Sequence, residues 1–152
     1  MRRFRPSLVA GAVALALSAG TASAQFTNAY IFGDSLSDGG QYGARFTTNP
    51  GLTSAMYVGQ NFGLSTTPSS QGGTNFAYGG ARMTDLPGYP PIAPTASAVP
   101  VATQVTQLLA RGPLDANALY QIQGGANDVF TLAGNTSLTP AQVQAGVTQA
   151  AL

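Results

Sequence analysis

The sequence predicts an α/β domain with a mostly parallel sheet. Three short apolar segments, residues 29–32, 74–78 and 118–123, each run into a glycine-rich turn, and stretches with helical spacing lie between them. Strands that alternate with helices are typical of domains whose sheet is parallel. In such sheets the functional residues collect at the carboxyl ends of the strands. Here those ends are the three glycine-rich turns.

The first two strands are predicted from short apolar runs bounded by glycine. Ala29-Tyr30-Ile31-Phe32 is aromatic and β-branched and stops at Gly33-Asp34-Ser35, which indicates a buried strand entering a tight turn. Residues 55–62 favour a short helix ahead of Gly63. Residues 74–78 lie between two Gly-Gly pairs, so the second strand has room for only a few pleats.

Proline density then changes the character of the chain. Residues 86–100 contain five prolines, which forbid a regular helix or a central strand and predict an extended surface loop. Apolar residues with helical spacing from Val101 to Leu109 predict an amphipathic helix that ends at Gly112. The third strand is predicted at 118–123, and a last helix begins at Thr139-Pro140.

The charged residues exclude several kinds of active site. Only 7% of the 152 residues are charged, all of them Arg or Asp, and the chain contains no Lys, Glu, His, Cys or Trp. Without Lys there is no Walker A loop and no Schiff-base lysine, and without His, Cys or Glu the usual zinc and iron ligand sets are missing. We therefore expect neither a metal nor a cofactor. Asp, with an ordinary pKa of about 4, is left as the only general base.

Residues 1–24 are predicted to be a secretory signal peptide. Three Arg precede an apolar run of about ten residues, and Ala22-Ser23-Ala24 supplies a small-residue cleavage site before Gln25. An anchoring helix and a buried core helix are the alternatives, although a membrane span needs about twenty apolar residues. Residues 25–152 then form one domain. It has three Arg against five Asp, a net charge of −2, which argues against a nucleic-acid surface.

Each glycine-rich turn has a catalytic and a structural interpretation. Ser35 follows a strand directly, where its hydroxyl would be exposed beside helix N-terminal N–H groups that can hold an oxyanion, but Asp, Ser and Gly also form turns and helix caps. The turn from Gly72 to Arg82 also suits a hairpin or a bulge. In the turn from Gly124 to Asp128, Asn127 either points its amide into a cleft or forms an Asx-turn or N-cap.

Taken together, in this order and at this spacing, the turns resemble the GDSL family of SGNH hydrolases. The matching motifs are Gly33-Asp34-Ser35-Leu36, Asn75-Phe76-Ala77-Tyr78-Gly79-Gly80-Ala81 and Gly125-Ala126-Asn127-Asp128, so the resemblance covers residues 28–130. It implies a three-layer α/β/α fold on a flavodoxin-like parallel sheet, here truncated after about three strands. The tract 30–42 and the leader look most like the secreted passenger esterases of bacterial autotransporters. That likeness implies secretion or display at the outer membrane, with a membrane barrel in a missing C-terminal part.

The resemblance also implies a role for each matched position. Ser35 would attack the acyl carbonyl, and the backbone N–H groups of Ser35 and Gly80, with the side-chain amide of Asn127, would bind the oxyanion. Four neighbours would support these turns without reacting, namely Gly33, Asp34, Gly125 and Asp128. At Gly80 the residue type itself agrees, because without a Cβ the backbone N–H can approach a substrate oxygen closely. The substrate would be a small-molecule or lipid ester: an acyl ester, a lysophospholipid or an acetylated sugar.

One motif of the family has no match in this chain. An Asp-x-x-His near the end of the domain would supply the base, and the chain has no histidine. We therefore expect the 152 residues to be an N-terminal fragment of the enzyme that is inactive alone, with a natural histidine-free relative as the alternative. The Pro-rich loop, with Tyr89, either lines the acyl site or is a solvated crossing.

Two other functions stay open at this point. Low charge and many Gly, Thr, Ser and Gln residues also suit a non-catalytic secreted surface or adhesin passenger, although no repeats are visible. Phosphoryl transfer on Asp34 or Asp38 is the third hypothesis, and the chain has no Lys to hold the phosphate.

Overall fold

The computed structural model describes residues 26–48 and 50–151. The predicted signal peptide lies outside them, and its cleavage stays a prediction. The described part contains two strands, β1 (Ala29–Phe32) and β2 (Leu119–Ile122). Its α-helices are α1 (Ser54–Asn61), α2 (Val101–Leu109), α3 (Ala126–Ala133) and α4 (Pro140–Ala150). Short 3-10 turns lie at Ser69–Gln71 and Thr95–Ser97.

The sheet is parallel, and β1 lies at its centre. β1 pairs with β2 over its whole length, starting with Ala29 opposite Leu119. On its other edge β1 meets the extended segment 74–78, where the Phe76 N–H donates to Ile31 O at 2.7 Å. Three parallel segments therefore end at the same edge. This arrangement confirms the predicted α/β fold and is consistent with a truncated three-layer domain.

The second predicted strand, 74–78, is only partly formed. It makes a single bridge to β1, between Asn75 and Ile31. The side chain of Asn75 accepts the Ala77 N–H at 3.0 Å, a local bond that competes with a ladder. Directly after β1, the Gly33 N–H donates to Gln104 Oε1 at 2.8 Å and not to this segment. The prediction of a regular strand is therefore wrong, although the segment does run parallel to β1.

The sheet is covered on both faces because successive side chains of a strand point in opposite directions. Phe32 stacks on Phe76 with ring centroids 5.4 Å apart, and residues of α2 pack against this pair. Ile31 points to the other face, where it packs with Ala55 of α1. Helices therefore lie on both sides of β1, as an α/β/α arrangement requires.

The predicted helices are found, and the structure adds one more. α1 and α2 lie where the sequence predicts helices, and α4 follows Thr139, which forms a capping box with Gln142. α3 has no counterpart among the predictions. It starts within the third glycine-rich turn, directly after Gly125, whose φ is +96°. None of the helices described here combines the length and the apolar content that crossing a membrane needs.

Candidate active site

The glycine-rich turns are hydrogen-bonded to one another at the carboxyl ends of the parallel segments. We call them the first turn (33–38), the second turn (78–83) and the third turn (123–128). Tyr78 N–H donates to Gly33 O at 3.0 Å, and Gly79 N–H donates to Asp38 Oδ2 at 2.7 Å. The end of β1 thereby fixes where the second turn begins.

One glutamine joins the third turn to the first. Gln123 Nε2 donates to Asp34 Oδ2 at 2.9 Å, and Asp34 Oδ1 accepts the Leu36 N–H at 3.0 Å. Asp34 is only 1% exposed, so both oxygens of a buried carboxylate have a donor. Asp34 therefore shapes the first turn and keeps it against the end of β2.

Two side chains from the start of α3 join the third turn to the second. Asn127 Nδ2 donates to Ala81 O at 2.8 Å. Asp128 Oδ2 accepts the Met83 N–H at 2.9 Å, and Asp128 Oδ1 lies 3.3 Å from Arg82 Nε in an ion pair. Because Asn127 and Asp128 are both buried, the start of α3 and the second turn form one packed unit.

Ser35 differs from its neighbours in keeping its polar groups free. It is half-buried, and neither its hydroxyl nor its N–H bonds to another described residue, whereas the N–H groups of Leu36 and Ser37 both donate to Asp34. A hydroxyl and an N–H without internal partners are available to a bound molecule.

Gly80 also keeps a free N–H. It is buried with φ +84°, and its N–H donates to no other described residue, while its carbonyl accepts the Tyr89 N–H at 2.9 Å. A Cβ at this position would lie 2.6 Å from Tyr89 O and 2.7 Å from Thr95 Cβ. The backbone conformation and the crowding both require glycine.

Asn127 lies in a helix and not in the predicted loop. α3 begins at Ala126, so Asn127 lies in the first helical turn of α3, near the positive end of the helix dipole. Its amide carries two hydrogens. One binds Ala81 O, and no second described acceptor takes the other. The sequence signal for this helix was weak, because it consisted only of Asp128 in the first helical turn of α3 and a few apolar residues after it.

Sequence reasoning missed a buried glutamine behind the first turn. Gln104 of α2 accepts the Gly33 N–H at 2.8 Å and donates to Gly33 O at 2.9 Å and to Val99 O at 2.8 Å. Gln104 is completely buried, with 0% of its surface exposed. Nothing in the sequence distinguishes it from the exposed Gln107 on the same helix, because only tertiary packing buries one and not the other.

Asp38 is buried and has three backbone donors. Its Oδ1 accepts the N–H groups of Gly40 at 2.7 Å and Gln41 at 2.8 Å, in addition to the bond from Gly79 to Oδ2. Burial raises the pKa of Asp38, and these three hydrogen bonds oppose the rise. Since Asp34 and Asp38 use both oxygens to bind the protein itself, their geometry argues against the hypothesis of phosphoryl transfer.

Tyr42 packs beside the second turn. Its hydroxyl donates to Gly79 O at 3.0 Å. Burial, with smaller contributions from the negative charge of Asp38 and from Tyr78, raises the pKa of Tyr42 to about 12.

Within residues 26–48 and 50–151, no three His, Cys, Asp or Glu side chains come together in a way that could hold a metal ion.

Comparison with known proteins gives two matches. Residues 30–151 match a family described as GDSL-like lipase/acylhydrolase. The chain is also 34% identical over 149 residues to a protein named Lipase 1 from Photorhabdus luminescens, an alignment that covers 93% of this chain and 21% of the relative. The chain thus spans about a fifth of the length of that curated relative. No solved structure matches the chain.

Proposed function

Because the chain belongs to the family of GDSL-like lipases and acylhydrolases, we propose that it carries the nucleophile and the oxyanion-binding groups of an enzyme that hydrolyses ester bonds. The observation that supports this best is the pair of free N–H groups, on Ser35 and Gly80, in turns that are otherwise densely hydrogen-bonded. Fixed donors of this kind stabilise charge that develops only in the transition state. The substrate is a small-molecule or lipid ester.

The proposed reaction begins at the hydroxyl of Ser35. Its Oγ forms a bond to the ester carbonyl carbon while its proton passes to a base. The carbonyl oxygen becomes an oxyanion that accepts the N–H groups of Ser35 and Gly80 and the second amide hydrogen of Asn127. The intermediate then expels the alcohol, which takes the proton from the base, and leaves an acyl ester on Ser35. Water, deprotonated by the same base, attacks the acyl carbon, and Ser35 Oγ leaves with that proton as the carboxylic acid is released.

The other predicted site residues support the turns in this proposal. Asp34 and Asp128 each accept donors on both oxygens, so they hold backbone in place and do not transfer protons. Gly33 is bonded on both its N–H and its carbonyl by Gln104. Gly125, at φ +96°, lets α3 start directly after β2.

The general base is the missing part of the site. The 152 residues contain no histidine, and an unassisted serine hydroxyl is a poor nucleophile. We therefore propose that the base comes from outside these residues, as expected for a fragment of a longer enzyme, and that the chain alone is inactive. Removing the base of a serine hydrolase costs on the order of a millionfold in turnover.

Export is a separate part of the proposal. The basic, apolar and small-residue segments of residues 1–24 would direct the chain across a membrane and be cleaved before Gln25. N-terminal sequencing of the protein recovered from an expressing bacterium tests this. Gln25 as the first residue is the expected result, and an intact Met1 in the exported fraction contradicts it.

Acylation of Ser35 tests the proposed chemistry without requiring a complete enzyme. The folded chain is incubated with p-nitrophenyl butyrate and with imidazole as an external base, and the acylated residues are mapped by peptide mass spectrometry. We expect butyryl-Ser35 as the main product when the reaction is quenched early in acid, because imidazole also assists deacylation and the label is lost with time. Ser35→Ala should remove the label, and Ser54→Ala, at an exposed serine of α1, should not.

The unfolded chain in urea is the matched control for site selectivity. Imidazole and p-nitrophenyl butyrate also form butyrylimidazole, which acylates exposed hydroxyls without help from a fold. Only labelling that the fold accelerates therefore supports an oxyanion site. If Ser35 is labelled no faster in the folded chain than in urea, or no faster than Ser54, the proposed function is wrong. That result would favour a non-catalytic surface passenger.

A further inference from the structure

The Pro-rich loop, residues 86–100, is anchored directly on Gly80. Tyr89 N–H donates to Gly80 O at 2.9 Å, and Gly88 N–H donates to Ala96 O at 3.1 Å. Gly88 is buried, and a Cβ there would lie 2.8 Å from Gly80 O. Thr95 Oγ1 closes the loop with bonds of 2.6 and 2.8 Å to two of its carbonyls. The loop is therefore not a freely solvated crossing, because its position is set by the glycine that offers the free N–H.

The helix α3 forms a second wall opposite this loop. Phe130 lies three residues after Asn127, and residues at this spacing are neighbours on a helix surface. The ring centroids of Phe130 and Tyr89 are 5.7 Å apart, and the Phe130 residue is 54% exposed. One aromatic ring is thus carried by the segment bonded to Gly80, and the other by the helix that carries Asn127.

A groove of about 290 Å³ lies beside the contact between these two rings and is bounded by the loop and by α3. Pro87, Pro91, Tyr89 and Phe130 line it together with glycine and small polar residues, and none of the lining residues is charged. An apolar lining with no ion pair suits a hydrocarbon group, whose transfer out of water is favourable at about 0.8 kcal/mol for each buried CH₂. It offers nothing to a charged headgroup.

We propose that this groove binds the acyl chain of the ester, with the carbonyl at Gly80 and Asn127 and the chain lying along the contacting rings of Tyr89 and Phe130. The inference rests on the proposed function, since it takes its direction from the oxyanion donors. The groove is at the small end of the range for ligand pockets. Binding should therefore tighten with each added methylene over short chains and stop tightening once the groove is filled.

Tryptophan reporters test this directly, because the chain contains no Trp. Tyr89→Trp keeps the backbone bond to Gly80, and Phe130→Trp places the reporter on the opposite wall. Each variant is titrated with 2-alkanones of increasing length, which carry a carbonyl and cannot be hydrolysed. We expect a saturable blue shift for both reporters, with affinity rising about two- to fourfold per methylene until it levels off. Tyr57→Trp, exposed on α1, should not respond.

One further variant tests the groove itself. Phe130→Asp in the Tyr89→Trp chain should weaken binding roughly tenfold or more. A chain whose reporters respond to the ketones but whose Ser35 is never acylated keeps the groove and refutes the proposed chemistry. No shift at either wall reporter in a chain with a folded circular dichroism spectrum overturns the groove. The groove is also overturned if the reporters shift with lipid vesicles and not with the ketones, or if Phe130→Asp leaves the ketone-induced shift unchanged.

Discussion

Asn127 is the residue whose side chain has to serve two acceptors at once. One amide hydrogen is bonded to Ala81 O, and in the proposed reaction the other binds the oxyanion. Asn127→Ala should slow the imidazole-assisted acylation of Ser35 by about 10²- to 10³-fold, the effect of losing one oxyanion donor. The rate is measured from the appearance of butyryl-Ser35 by mass spectrometry.

The variant Asn61→Ala is the control for Asn127, since Asn61 is exposed at the end of α1. It should acylate at the wild-type rate. Asn127→Ala also leaves Ala81 O without its partner, so its unfolding curve has to be recorded beside the rate. An Asn127→Ala chain that is folded and acylates like the wild type would remove Asn127 from the oxyanion site.

Gly80 combines two restrictions that a second glycine allows us to separate. Gly80 and Gly72 have nearly the same φ, +84° and +82°, but a Cβ at Gly72 meets nothing within 4 Å, whereas one at Gly80 meets Tyr89 O at 2.6 Å. Gly72→Ala should cost about 1 kcal/mol of unfolding free energy for the left-handed backbone. Gly80→Ala should cost about 1–3 kcal/mol more for the overlap.

Urea denaturation of the two alanine variants measures that difference. Because the backbone conformation is shared, it reports the crowding between Gly80 and the Pro-rich loop. Equal losses of stability in the two variants would mean that the loop is not packed on Gly80, and the groove would lose its anchor.

Tyr42 links the second turn to the pH dependence of stability. Its pKa is raised from the ordinary 10.0 to about 12 in the fold, so folding favours the protonated phenol. The contribution to stability is complete below pH 10 and is lost as the pH rises from about 10 through about 12. Burial also raises the pKa of Tyr120, so ultraviolet titration of phenolate should show a late step that loses the amplitude of one phenol in Tyr42→Phe and is unchanged in Tyr57→Phe. A Tyr42→Phe curve whose late step keeps the wild-type amplitude contradicts this.

At the level of single residues, motif spacing predicted the residues within the turns, both the proposed reacting groups and their supports such as Asp34 and Asp128. Each of them lies in a short pattern of turn residues. The partners outside these motifs could not be predicted, because Gln104 and Gln123 look like surface glutamines in the sequence and become partners of Gly33 and Asp34 only when the chain folds. Long-range hydrogen bonds leave no local signature.

Among the elements, α2 carries the most direct control over the first turn. Gln104 is the side chain through which this helix reaches the end of β1. Gln104→Leu should destabilise the fold by about 1–3 kcal/mol, because it leaves the buried Gly33 N–H without an acceptor. Gln107→Leu on the exposed side of α2 should change stability by less than about 0.5 kcal/mol. Thermal or urea unfolding compares the two, and similar losses would contradict the role of Gln104.

Periodicity predicted the elements that stand alone and failed where an element depends on its neighbours. β1, α1, α2 and α4 have either a continuous apolar run, helical spacing or a cap that can be recognised locally. Segment 74–78 was expected to be a regular strand, but the side chain of Asn75 bonds to the Ala77 N–H and the Gly33 N–H of the neighbouring chain segment bonds to Gln104. α3 was missed because its eight residues follow a glycine turn without a recognisable N-cap side chain.

At the scale of the whole molecule, the fold explains how three motifs that are separated in the sequence come to lie together at one edge of the sheet. β1 is central, and the segments on either side run parallel to it. Their carboxyl ends therefore meet, and Asp34, Asp38, Asn127 and Asp128 tie the turns together there. The charge count and the absence of histidine were readable from composition alone. Their meaning was not, because it depends on which groups the fold brings together.

The release of p-nitrophenolate from p-nitrophenyl butyrate measures whether Ser35 is a nucleophile whose base lies outside these 152 residues. Without imidazole, the wild-type chain should release no more p-nitrophenolate than Ser35→Ala. With increasing imidazole, the wild-type rate should rise above that of Ser35→Ala. Rapid turnover without imidazole that Ser35→Ala abolishes would contradict this, because it would show that the base lies within the chain. Equal rates of the two chains at every imidazole concentration would show that Ser35 is not a nucleophile.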